Sequence, residues 1–201
     1  MVAAIVDFAK TAACARPGFD ESFRHDQVCA GYLSDGRPVA VGDVRRPVEC
    51  PQVAALFDDP GLLAAATDFL GYVPKRREAR LYWSFAAPLP DDVRRAFGQT
   101  IDFHYDVPWF NAVDAYFYLT PSDRYSGAHV IYRQSARHKP ARFKLASAFN
   151  DEKKLTSYYG SARQHVIEGP AGFGFMVDPF GFHKAFAPVK RDRLMLQLRY
   201  S

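Results

Sequence analysis

The stretch Leu194-Met195-Leu196-Gln197-Leu198-Arg199-Tyr200 decides the fold class. Large apolar side chains fall at every second position, the period at which a strand turns one face to a core. Upstream, the same period runs back to Arg80. Six more segments read as strands: Arg80–Phe85, Ile101–Asp106, Ala115–Leu119, His129–Tyr132, Phe173–Val177 and His183–Phe186. Pro- and Gly-bearing turns separate most of them, and the polar region 134–160 reads as a loop with some helix. Before Arg80 the pattern is helical. Residues 3–14 form one expected helix, closed by Arg16-Pro17-Gly18, and Pro51 opens a second through Leu56. Asp59 is an N-cap with Pro60 behind it, Leu62, Leu63, Ala66 and Phe69 recur at helical spacing, and Gly71 supplies the stop. Residues 32–44 read as a short hairpin turning at Ser34-Asp35-Gly36. Together these predict a mainly β fold with flanking helices, a double-sheet jelly-roll barrel. One domain is expected over 1–201, with 1–75 mostly helical and 80–201 the barrel core.

Composition narrows the function classes. The 201 residues are 48% hydrophobic and 24% charged, an ordinary globular balance. Twenty-six basic residues against 22 acidic ones leave +4, a small surplus that argues against a nucleic-acid groove and suits an anionic small substrate. Cys14, Cys29 and Cys50 form neither a disulfide framework nor a zinc spacing, which suits a reducing cytoplasm. Asp7 and Lys10 interrupt the apolar N-terminus, so no signal peptide is expected, and no apolar run approaches a membrane span.

The chemistry gathers around His104-Tyr105-Asp106. On a strand, His104 and Asp106 face the same way and can share one metal ion, and His183 from a distant strand would complete two imidazoles and a carboxylate. Arg193 follows ten residues after His183, and its guanidinium suits an organic carboxylate. The bland alternative is a satisfied core histidine at His104, with Asp106 capping the turn at Val107-Pro108. His25 and His138 read as exposed, and His129 and His165 as locally packed.

The order Phe103-His104-Tyr105-Asp106, Phe117-Tyr118-Leu119-Thr120, Ser126-Gly127-Ala128-His129-Val130 and Arg137-His138-Lys139 resembles the phytanoyl-CoA dioxygenase family. So does the run Gly181-Phe182-His183-Lys184-Ala185-Phe186-Ala187-Pro188 leading to Arg193 and Tyr200. The resemblance spans about residues 55–201. It implies a double-stranded β-helix, a cupin-like barrel, with Fe(II), 2-oxoglutarate and O2 as the reacting partners. It places the iron on His104, Asp106 and His183, the distal carboxylate of 2-oxoglutarate on Arg193, and a further contact on Tyr116. Because Asp106 keeps the carboxylate that related halogenases lack, it implies hydroxylation, or a desaturation or cyclisation. Where members of the family carry Pro-Gly-Ser-His-Lys, this chain has the longer Arg133-Gln134-Ser135-Ala136-Arg137-His138-Lys139 beside the expected mouth.

Substrate candidates are aromatic (Tyr105, Trp109, Phe110, Tyr158, Tyr159) or basic (Arg133, Arg137, Lys139). Three rival readings are a non-catalytic metal-binding barrel, a jelly-roll enzyme using another divalent ion, and a nucleic-acid-binding module.

Overall fold

The computed structural model describes residues 1–17, 19, 21–107, 111–145 and 150–201. Its elements run α1 (Val2–Thr11), β1 (Cys14–Ala15), β2 (Ser22–Phe23), β3 (Val41–Val44), α2 (Pro51–Phe57), α3 (Pro60–Leu70) and β4 (Arg77–Ser84). There follow α4 (Asp91–Ala96), β5 (Val113–Tyr118), β6 (His129–Tyr132), α5 (Ala141–Leu145) and α6 (Glu152–Tyr159). The chain closes with β7 (Gln164–Ile167), β8 (Gly174–Val177), β9 (His183–Ala185) and β10 (Arg193–Tyr200). Two antiparallel sheets face each other as a jelly roll, one ordered β2-β1-β3-β4-β10-β5-β8 and the other β7-β6-β9.

The period of two in β10 sorts the larger sheet into two surfaces. Leu194, Leu196, Leu198 and Tyr200 are fully buried on the outer face, with Leu81 and Trp83 of β4 and Val113 and Ala115 of β5. Ile5 and Ala9 of α1, Val53 of α2, and Ala66 and Leu70 of α3 join the same core. Each large side chain buried there contributes about 1.5–3 kcal/mol. On the other face, Arg193, Gln197 and Arg199 turn into the barrel with Tyr116, Tyr118 and Met195. The smaller sheet is covered outside by a second core, in which Val130 and Tyr132 meet Phe143, Leu155, Tyr159 and Phe182. An apolar outside and a polar, aromatic inside leave the barrel interior as the place for chemistry.

The helices begin and end where their sequence signals lie. The Asp59 side chain accepts from the Leu62 amide at 2.9 Å, Pro60 opens α3, and Gly71 ends it at φ 79°. Helix α1 stops at Thr11 rather than Cys14. Its cap Ala12 is extended, and Cys14–Ala15 pairs with β3 instead. Through β1–β3 the larger sheet draws strands from the part expected to be mostly helical. The expected hairpin at 32–44 shrinks to a Tyr32–Pro38 bridge turned by Gly36 at φ 83°.

Ile101–Asp106 is not a strand; a single bridge at His104 replaces it. The segment gives its polar groups elsewhere: the Asp106 amide donates to Pro179 O at 2.9 Å, and Asp102 O meets His104 Nδ1 at 3.0 Å. β7 lies outside the seven segments read as strands, and it pairs with β6. His25, read as exposed, is half-buried. It packs tilted against Trp83 with centroids 4.1 Å apart and reaches Asp192 at 3.0 Å. The three cysteines are free, and no helix among the described residues is long and apolar enough to cross a membrane.

Leu196 sits at the centre of β10, between β4 and β5, with no exposure. Leu196→Ala is expected to cost about 2–5 kcal/mol, read as a lowered urea unfolding midpoint at unchanged m-value.

Candidate metal centre

His104 and His183 lie side by side through reciprocal backbone bonds, His104 N to His183 O at 2.9 Å and His183 N to His104 O at 2.8 Å. Their rings are 4.3 Å apart between centroids, and both are nearly buried. The same local device orients each ring. His104 Nδ1 meets Asp102 O at 3.0 Å, and His183 Nδ1 meets Gly181 O at 2.9 Å. A carbonyl only accepts, so each Nδ1 carries the proton and each Nε2 presents a lone pair.

Asp106 completes the group. One ligand atom from each of His104, Asp106 and His183 lies within 4.8 Å of the others, and Asp106 Oδ1 is 3.7 Å from His104 Nε2. Asp106 Oδ2 is already committed, accepting from Arg199 at 2.5 Å. Arg199 also holds Asp114 through two bonds of 2.7 Å. Fully buried, Asp114 accepts further from Gln197 at 2.8 Å and from the Tyr116 hydroxyl at 3.2 Å. The network thus turns Oδ1 of Asp106 towards the imidazoles.

Protonation favours a cation. Burial works to raise the Asp106 carboxyl, but His183 and the Arg199 guanidinium outweigh it and hold it below the usual carboxylate range. Burial, then the neighbouring His104, pushes His183 down to about 4. An ionised carboxylate beside a neutral imidazole is the state in which such side chains bind a metal.

Beyond His183 lies His129, 5% exposed, its ring stacked at 5.4 Å and 15° on that of His183. Burial, then His183 and Arg193, lowers its pKa well below the ordinary histidine value. Arg193 is 3% exposed, donates to Gly127 O and to Ser84 Oγ (2.9 Å), and has no carboxylate within ion-pair range among the described residues. Gly127 makes room for it. At φ 86° it favours glycine, and a Cβ there would stand 3.3 Å from Arg193 Cδ.

Four buried side-chain polar atoms among the described residues lack a partner, and two are His129 Nε2 and Arg193 Nε. Buried groups of this kind are normally satisfied, and Arg193 Nε, a donor, calls for an acceptor in the barrel interior. The residues fit a dicarboxylic acid there.

The structure brings together His104, Asp106 and His183, and places Arg193 on the same barrel interior. Tyr116 is there too, but its hydroxyl is taken by Asp114 and its ring packs against those of Phe175 (5.5 Å) and His129 (5.1 Å). Sequence reasoning missed His129 and Arg199. His129 is visible only once β6 is registered against β9, where Ile131 pairs His183. Of the aromatic candidates, Tyr159 is core, Tyr158 and Tyr105 line surface cavities, and Trp109 and Phe110 lie outside the described residues.

No protein-family model and no curated protein sequence matches the chain. Solved structures do. The non-heme α-ketoglutarate-dependent epimerase SnoN from nogalamycin biosynthesis is similar over 99% of this chain and 71% of its own, at 14% identity and TM-score 0.64. HygX from Streptomyces hygroscopicus, with nickel, 2-oxoglutarate and hygromycin B bound, matches over 100% and 77%, at 13% and 0.63. EctD from S. alaskensis, with 2-oxoglutarate and 5-hydroxyectoine, matches over 100% and 66%, at 16% and 0.63. The chain therefore has the jelly-roll fold of these 2-oxoglutarate-binding proteins and spans about two thirds to three quarters of their length.

Two outcomes follow from the geometry. Unfolded histidine titrates near 6.5, whereas folded His129 and His183 take up protons only at lower pH. Below about pH 6.5 the unfolded chain binds more protons, so stability falls as pH drops from about 7 to about 4.5. The metal-free protein should show that fall in Tm, and His183→Gln a shallower one. Arg199→Gln, which frees Asp106, should weaken divalent-metal binding by about tenfold or more in equilibrium dialysis.

Proposed function

We propose that the chain is an Fe(II)- and 2-oxoglutarate-dependent oxygenase of the phytanoyl-CoA dioxygenase type, hydroxylating a C–H bond of a small molecule. One observation carries the reading. A His-Asp-His cluster with ligand atoms within 4.8 Å shares a barrel interior with a buried arginine that has no carboxylate partner among the described residues. Two imidazoles and one carboxylate on one side of an ion leave positions open, the donor set of non-haem Fe(II) oxygenases. The fold is that of solved structures holding 2-oxoglutarate with nickel, which supports the same co-substrate here.

In this reading His104, Asp106 and His183 hold the metal. Arg193 binds the distal carboxylate of 2-oxoglutarate through charge-assisted hydrogen bonds, and His129 gives its unpartnered Nε2 to the co-substrate. Tyr116 acts through its ring, which flanks His129, and through its bond to Asp114. Iron(II) with 2-oxoglutarate and O2 supplies an oxidant for an unactivated C–H bond, with succinate and CO2 as co-products. The residues of this chain supply orientation and a shielded interior. Asp106 stays ionised because Arg199 neutralises its second oxygen, and His183 stays neutral because burial opposes its charge.

Anaerobic titration of the Fe(II)-loaded protein with 2-oxoglutarate tests the assignment. Wild type should bind it and release succinate slowly in air. Arg193→Ala should keep the metal and lose 2-oxoglutarate, His183→Ala should lose both, and His129→Leu should weaken 2-oxoglutarate by about tenfold. Wild-type affinity surviving in both His183→Ala and Arg193→Ala would sink the assignment.

A further inference from the structure

Residues 133–163 carry eight basic side chains and two acidic ones, a net +6. The whole chain carries +4, so the remainder is −2 and the surplus is concentrated here. Both acids, already counted in that +6, are engaged locally. Asp151 caps α6 by accepting from Lys154 N at 3.1 Å, and Glu152 is held by Lys184 (2.6 Å) and Gln164 (2.7 Å).

Within this region lies a cavity of ≈ 520 Å³, lined among others by Tyr105, Asn111, Arg137, Lys139, Lys144 and Asp178. Tyr105, which lines it, stands between the two candidate ligands His104 and Asp106 in the chain. Lys139 is 9% exposed. Its ammonium donates to Phe180 O at 2.5 Å and lies 3.2 Å from the Tyr105 ring centroid and 4.3 Å from that of Phe182. No carboxylate among the described residues comes within ion-pair range of it. Two rings and a carbonyl offset part of the desolvation but bring no negative charge. Burial accordingly pushes Lys139 down to about 7. Asp178 is a poor counter-ion. It spends Oδ1 on the Phe180 amide at 3.0 Å, and burial raises its own pKa. Arg137 is exposed and engages no carboxylate among the described residues.

A second cavity of ≈ 300 Å³ shares Ala136, Arg137 and Asp178 with the first and reaches His183 along Ile131 and Val177. Arg137 therefore stands where a basic compartment meets a more apolar one that leads to the metal centre. Both volumes are of the size that holds a small ligand.

We propose that Arg137 and Lys139 bind an anionic group of the substrate, a phosphate or a carboxylate, while its apolar part extends through the adjoining cavity to His183. The substrate role rests on the oxygenase reading; the anion site itself does not. An oxyanion in the cavity supplies negative charge beside the buried ammonium, and Arg137 can donate to two of its oxygens in parallel bonds. The long segment 133–139, which departs from the family's Pro-Gly-Ser-His-Lys turn, is what presents both cations.

The test is calorimetric titration of the Ni(II)-loaded protein, saturated with 2-oxoglutarate, at constant ionic strength. Inorganic phosphate and acetate are the two probes and distinguish a phosphate from a carboxylate site. Wild type is expected to bind one of them saturably, with Arg137→Gln and Lys139→Met each weakening it about tenfold. Lys10→Gln on α1 is the remote control, and 2-oxoglutarate affinity stays at the wild-type value in all three. Arg137 is exposed, so its variant keeps the test decisive even where Lys139→Met folds poorly. Absence of saturable binding of both probes, or wild-type affinity in Arg137→Gln, overturns the proposal. Duplex DNA binding more tightly than phosphate, with a steep salt dependence, overturns the small-molecule assignment. Failure of wild type to bind 2-oxoglutarate while phosphate still binds would instead remove the oxygenase reading and leave the anion site standing.

Discussion

A single antiparallel bridge joins His104 to His183, two residues far apart in the chain, through N–H···O bonds of 2.9 and 2.8 Å. The candidate centre depends on it. It sets the two rings 4.3 Å apart and places each Nδ1 against a carbonyl two residues earlier, so that both Nε2 atoms are left as acceptors. It also ends the ladder, which lets the Asp106 amide turn away to Pro179. A continued strand would keep all its amides in register with β9. The bent segment gives Asp106 its position opposite Arg199.

The interior behind that bridge is polar, and polar groups out of water need partners. Most have them: Arg199 is matched by Asp106 and Asp114, and Asp114 by Gln197 and Tyr116. The mismatches fall close to the centre. Among the described residues His129 Nε2 and Arg193 Nε have no partner, and Lys139 beside Tyr105 has no carboxylate within ion-pair range. For Arg193 and Lys139 the missing partner is an acceptor or a negative charge, and that common sign links the co-substrate reading to the anion site at the mouth.

Much of this was legible in the residues. β6 runs from His129 to Tyr132, as its β-rich pattern predicts, and α3 begins and ends on its Asp59-Pro60 and Gly71 signals. Those signals are local, a capping hydrogen bond and a left-handed glycine, and need no tertiary contact. The His-x-Asp pair was legible as a pair of ligand types, but the strand drawn around it was not formed. His129 was read as packing because its neighbour across the barrel, His183, is set by the β6–β9 register. The charge surplus read as small because a count over the whole chain averages 133–163 with the rest.

By itself the sequence determined where elements such as α3, β6 and β10 run, and which side-chain types are available for a metal and an acid. These follow from period, caps and chemistry within a few residues. Only the tertiary structure decided that His104 bridges His183, that Arg199 rather than solvent holds Asp106, and that Lys139 is buried against the rings of Tyr105 and Phe182. Those facts arise from hydrogen bonds and packing between distant segments, and no local pattern encodes the register in which such segments meet.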